Sequence, residues 1–137
     1  MKAFSLGKNE RIKERKIFEQ LYKSGNTILL KNYSLKIIYL AEKSDISCVK
    51  IAVGISKKAG NSVWRNRLKR LIRNAYRLNK LQILDLAKRK GMKIYILFSS
   101  VSLNQSASPK LKYKEIENQV ISLLSVIVKK LDSVLET

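Results

Sequence analysis

Apolar positions along the chain switch between two spacings, and the switches mark out the elements. Over 11–24, Ile17 and Leu21 repeat at i, i+4, as do Phe18 and Tyr22. This predicts an amphipathic helix stopped by Gly25 and Asn26. The stretch 28–40 is rich in Leu, Ile and Tyr; Tyr33, Leu35, Ile37 and Tyr39 alternate, which predicts a strand. After a polar turn over 42–45, a second strand is expected over 48–55, with Val49, Ile51, Val53 and Ile55 on one face. Its other face carries Lys50, Ala52 and Gly54, where small residues leave room for something to lie close to the sheet.

A loop over 56–61 leads to Ser62, the expected N-cap of a helix running to about residue 79. A further helical piece, 81–90, ends at Gly91, and 93–98 reads as a mostly buried strand. The Ser-rich loop 101–109 holds the only proline. A closing helix over 113–134 sets Ile116, Val120, Leu123, Leu124, Ile127 and Leu131 on one side. The order α-β-β-α-β-α predicts a two-layer α/β (α+β) sandwich. A chain of 137 residues suits one such domain, over 11–137, behind a flexible basic arm over 1–10.

Charge changes the picture more than composition does. Twenty-nine Lys and Arg stand against ten Asp and Glu, a net charge of +19. Such an excess repels itself unless a polyanion shares the work; nucleic acid is the first class of partner to consider and an anionic membrane surface the second. No run of eighteen apolar residues is present to span a bilayer, and the first residues lack the apolar core of a signal peptide. Together with the lone Cys48, these features predict a reducing cytoplasm. With no His and a single Cys, a His/Cys metal site is excluded, and no metal or cofactor is assigned to the protein's side chains.

The basic residues are concentrated. Between 57 and 80 there are nine and no acidic residue. On a helical wheel Trp64, Leu68, Leu71, Ile72, Ala75 and Leu78 share an arc of about 120°. Arg65, Asn66, Lys69, Arg70, Arg73 and Arg77 take the opposite arc, and Arg67 sits at the border. Arg65, Lys69, Arg73 and Arg77 are like charges at i, i+4, each pair costing a few tenths of a kcal/mol in the free protein. Phosphates would reverse that cost and make affinity strongly salt-dependent; arginine's planar fork suits bidentate contact. The alternatives are a merely solvated basic helix, or a membrane-surface helix. The second is weakened because the apolar arc is needed to cover a sheet.

The run over 51–73, I-A-V-G-I-S-K-K-A-G-N-S-V-W-R-N-R-L-K-R-L-I-R, resembles the signature of the bacterial ribonuclease P protein family. That family carries Ser-Lys-Lys-x-Gly-Asn-Ala-Val-x-Arg-Asn-Arg-x-Lys-Arg-x-x-Arg on its second helix, and the resemblance extends over most of 8–132. It implies a sandwich like the second domain of ribosomal protein S5. It also implies an endoribonuclease in which a catalytic RNA subunit, with Mg2+ at its active site, removes the 5′ leader of precursor tRNA. The protein then assists by binding that RNA and the leader, with no protein partner required. Arg65, Asn66, Arg67, Lys69, Arg70 and Arg73, with the preceding Lys57 and Lys58, are assigned by the resemblance to RNA contacts. Phe18 and Tyr22 match leader-facing aromatics of the first helix, completing a cleft with Lys36 and Lys50. Lys36 departs from the family, where a strand tyrosine is common, and could hold a leader phosphate instead of stacking. Two readings of Phe18 and Tyr22 stay open, core packing or stacking on single-stranded bases. Solvated loop lysines are the plainer account of Lys57 and Lys58. The chain carries no obvious group for cutting RNA itself, so an autonomous nuclease is disfavoured. A structural, ribosomal-type RNA-binding protein without a processing role is the competing hypothesis.

Overall fold

The structure is a computed structural model that describes residues 6–133. Four strands form one sheet: β1 (Asn26–Ile28), β2 (Leu35–Lys43), β3 (Cys48–Gly54) and β4 (Met92–Ser100), in the order β1-β2-β4-β3. The pairings are antiparallel except β3 with β4, whose parallel register sets Ile51 opposite Ile96. Parallel neighbours need a crossover, and here it is made by α2 (Ser62–Asn79) and α3 (Leu81–Lys90). Helices α1 (Arg15–Ser24) and α4 (Tyr113–Asp132) precede and follow the sheet.

The mixed α/β sandwich is thus present. One sheet face, with Ile37, Tyr39, Val49, Ile51, Ile94, Ile96 and Phe98, is buried under α2, α3 and α4. All six α4 residues expected on its inner side are buried. The other face carries α1 alone: Leu21 packs with Ile12, Ile38, Tyr95 and Leu97, and Ile17 and Phe18 lie at the edge of that cluster. One short helix leaves the β3 end of this face, with Lys50, Ala52 and Gly54, only partly covered.

Four differences from the pattern-based reading change where residues sit. The first helix begins at Arg15; residues 11–13 instead run beside β3, where Arg11 bridges to Ile51 and the Ile12 N–H donates to the Ile51 carbonyl at 2.9 Å. That pairing buries Ile12, which no position on α1's apolar stripe would have done. The strand expected over 28–40 is two strands. Asn32, at φ 67°, turns the chain between them, so Tyr33 lies in the connection and β2 runs on to Lys43. Asn61, not Ser62, caps α2, its Oδ1 accepting the Trp64 N–H at 2.9 Å. The arm expected over 1–10 includes a 3-10 turn at Lys8–Glu10 that is tied into the body; residues 1–5 lie outside those described.

The Ser-rich loop is pinned to the start of α2. The Gln105 N–H donates to the Ala59 carbonyl at 2.7 Å, and its Oε1 accepts the Asn61 N–H at 2.9 Å. The Trp64 indole N–H donates to the Ser108 carbonyl at 2.9 Å. These bonds satisfy backbone groups at a helix N-terminus that would otherwise be orphaned.

Candidate nucleic-acid interface

Helix α2 buries Trp64, Leu68, Ile72, Ala75 and Tyr76, whereas Leu78 is exposed and Leu71 only half-buried. The buried arc is therefore turned by roughly 40° from the arc read off the wheel. The turn brings Tyr76 in and pushes Leu78 out, and it aims the other flank of the helix at the N-terminal segment.

That flank forms a recess of about 470 Å³ lined by Arg70, Arg73, Asn74 and Arg77 from α2, with Arg11 and Leu6 facing them. Among the described residues no carboxylate lines it. Within it Arg77 donates to the Asn74 Oδ1. Burial first, and the neighbouring Arg11 charge second, hold the Arg73 guanidinium below its ordinary pKa. The clustered guanidinium charges make the recess positive, so an anion entering here is favoured electrostatically.

A second recess of about 210 Å³ adjoins the first and shares Leu6, Arg11 and Arg73 with it. Its floor is Ile51, Ala52 and Val53 of β3, and its rim includes Lys13 and Phe18. Phe18 is half-buried, partly packed against the small core beneath α1 while facing this recess. Tyr22 is 68% exposed, with its hydroxyl lying over Gly54. The small β3 residues therefore do leave room for aromatic groups close to the sheet. Lys50 stands on the same face, in register with Tyr95. Lys36 is in register with Ser99, which is in register with Gly54, so one strand separates it from β3.

Other expected residues sit elsewhere on α2. The Arg65 side chain is half-buried and its Nε–H donates to the Gly60 carbonyl at 2.9 Å, which braces the loop before the helix. Asn66 is exposed and Lys69 half-buried. Arg67 is exposed, and with Val63, Trp64, Gln105 and Pro109 it borders a separate recess of about 160 Å³ beside the Ser-rich loop. Lys57 and Lys58 are exposed on a 3-10 turn closed by Ser56 Oγ, which accepts the Lys58 N–H. Basic groups thus line the exposed length of α2, while only Arg70, Arg73 and Arg77 share the arginine recess.

Sequence reasoning missed Arg11, Lys13 and Leu6. Arg11 and Lys13 looked like the first turn of α1. The available signal was Ile12, whose phase does not match Ile17 and Leu21 on a helix. The arrangement can hold a run of phosphates along α2 and present aromatic and apolar surface beside them, the combination that single-stranded nucleic acid needs.

Comparison with known proteins agrees with this chemistry. A sequence model described as "Ribonuclease P" matches residues 6–128. A "Ribonuclease P protein component" from Clostridium botulinum (strain Langeland / NCTC 10281 / Type F) is 36% identical over 119 residues, covering 85% of this chain and 93% of the relative. Another, from Syntrophus aciditrophicus (strain SB), is 38% identical over 80 residues, 58% of this chain and 64% of the relative. The solved RNase P protein of Staphylococcus aureus superposes with a TM-score of 0.60 at 24% identity, covering 86% of this chain and 94% of that one. That of Thermotoga maritima gives 0.63 at 22%, covering 85% and 96%. These two likenesses are of fold.

Proposed function

The chain belongs to the ribonuclease P protein family, and on that footing we propose that its arginine-lined face grips the ribonuclease P RNA while the adjoining cleft guides the 5′ leader of precursor tRNA. As a ribonuclease P protein component it takes part in tRNA 5′ maturation and has the ribonuclease P RNA as its partner. A structural RNA-binding role without processing is not favoured by a match over 6–128.

One observation carries the assignment of the two surfaces: the arginine recess and the Phe18 recess share Leu6, Arg11 and Arg73. A strand whose phosphates lie in the first has its bases beside the second. Arg65, Asn66, Arg67, Lys69, Arg70, Arg73 and Arg77, with Lys57 and Lys58, serve the RNA; Phe18, Tyr22, Lys36 and Lys50 serve the leader. Exposure favours Tyr22 for stacking, and Phe18 contributes one face while its other packs.

Hydrolysis belongs to the RNA in this reading, with Mg2+ at its phosphates. The interface is built of guanidinium, ammonium, amide and aromatic groups, which bind and orient but do not exchange protons near neutral pH. Among the described residues no helix is long and apolar enough to cross a membrane, and the cytoplasm is the compartment we propose. The test is cleavage of precursor tRNA at low Mg2+ by the purified protein, the RNA, and both. Stimulation only when both are present is expected; cleavage by protein alone, or no stimulation, would overturn the reading.

A further inference from the structure

Lys80, at the junction of α2 and α3, is only 2% exposed. Its Nζ meets both oxygens of Glu10, at 2.7 and 3.0 Å, across seventy positions of sequence. A buried ammonium is costly unless paired, so this pair strongly favours one location for the Lys8–Glu10 turn. The next residue is Arg11, whose backbone continues into the bridge with Ile51. Fixing Glu10 therefore fixes Arg11 to within one residue.

Arg11 needs such fixing. Its side chain is exposed, yet it faces Arg70, Arg73 and Arg77 across a recess that no carboxylate lines among the described residues. Repulsion from Arg73 favours its departure into solvent. The backbone bridge and the ion pair oppose that departure.

We infer that the Glu10–Lys80 ion pair is a latch holding Arg11 in the arginine recess, so that Arg11 is a further phosphate-binding residue and Glu10 and Lys80 are its positioning residues. This rests on the reading of the α2 face as an RNA-backbone surface. A latch that only stabilised the fold would leave the charge facing the RNA unchanged. A latch that delivers Arg11 changes how many phosphates the protein neutralises, and that number is the slope of log affinity against log salt.

The experiment measures binding of the full chain to the ribonuclease P RNA across a salt series. Arg11→Ala should lower the slope by about 0.7–0.9, the value of one phosphate contact. Glu10→Gln should lower it equally although the arginine is still present, and the double variant should do no worse than either single one. Glu10→Asp, which keeps the charge on a shorter arm, should recover part of the slope. An unchanged slope for Glu10→Gln, or losses that add in the double variant, would overturn the latch; an unchanged slope for Arg11→Ala would overturn Arg11 as a ligand. Arg73→Ala separates the two levels: if it leaves the slope intact, the RNA-face reading itself fails. A measurement without RNA completes the set. Trypsin cleavage after Arg11 should quicken by about tenfold in Glu10→Gln at a temperature where the body stays folded, and an unchanged rate would count against the latch.

Discussion

Tyr76 enters the core fully buried, edge-on to Phe98 with ring centroids 6.2 Å apart, and its hydroxyl finds no hydrogen-bond partner among the described residues. A buried hydroxyl without a partner costs roughly 1–3 kcal/mol. Tyr76→Phe should therefore stabilise the protein by about 1 kcal/mol, seen as a higher urea midpoint at unchanged m-value; a lower midpoint would refute this. Burial, and next the Glu10 carboxylate, raise the phenol's pKa well above its ordinary 10.0. As pH climbs past that value the unfolded chain loses this proton first, so the stability it carries is full below pH 10.0 and lost above it. Wild type should thus lose stability more steeply than Tyr76→Phe above that pH, and equal slopes would show the group titrating normally. Asn61 is the converse case, a polar side chain fully used. Its cap on α2 predicts a loss of about 1 kcal/mol in Asn61→Ala, checked by the same unfolding curves.

Elements show which of these features a pattern can report. Periodicity placed α2 to within a residue, because eighteen residues of consistent phase leave little freedom. It missed the rotation of the buried arc, since α2 packs on both the sheet and α4 and a wheel contains neither partner. The apolar arc read from the wheel left out Tyr76 and took in Leu78; only the wedge between sheet and helix decides. The basic face and the aromatics of α1 were legible in the sequence, with the family signature adding their assignment. Arg11 was not, because the contact that sets its place, Glu10 with Lys80, spans seventy positions and both residues read as ordinary surface charge. The two aromatics of α1 differ in the same way. Tyr22 is 68% exposed while Phe18 is packed on one side. Tyr22→Ala should leave stability within about 0.5 kcal/mol, whereas Phe18→Ala should cost roughly 1–2 kcal/mol. If both are measured for leader-dependent affinity, Tyr22→Ala gives the clean reading. A stability loss in Tyr22→Ala comparable to that in Phe18→Ala would place Tyr22 in the core instead.

At the scale of the whole molecule the charge of +19 is densest over 57–80, a stretch with no acidic residue of its own. The described ion pairs join Arg15 to Glu19, Arg89 to Asp85 and Asp132, Lys90 to Asp132, Lys114 to Glu117, and Lys80 to Glu10. Arg65, Arg67, Lys69, Arg70 and Arg73 enter none of those among the described residues. Their mutual repulsion is built into the free protein, and salt screens it within about 10 Å. Raising KCl from about 0.05 to about 0.2 M should therefore raise the thermal midpoint of the RNA-free protein, by roughly 4 °C if about 1 kcal/mol of repulsion is relieved. Over the same range affinity for the ribonuclease P RNA should fall roughly 10²–10³-fold, as five or so phosphate contacts require. Opposite signs from one variable are the signature of a surface strained in isolation and relieved by a polyanion. Phosphate at matched ionic strength separates general screening from occupancy: a divalent anion seated among Arg11, Arg70, Arg73 and Arg77 should raise the midpoint beyond the chloride value, and Arg73→Ala should remove that excess. A midpoint that falls with salt would mean the surface ion pairs outweigh the repulsion, and the strain argument for the α2 face would fail with it.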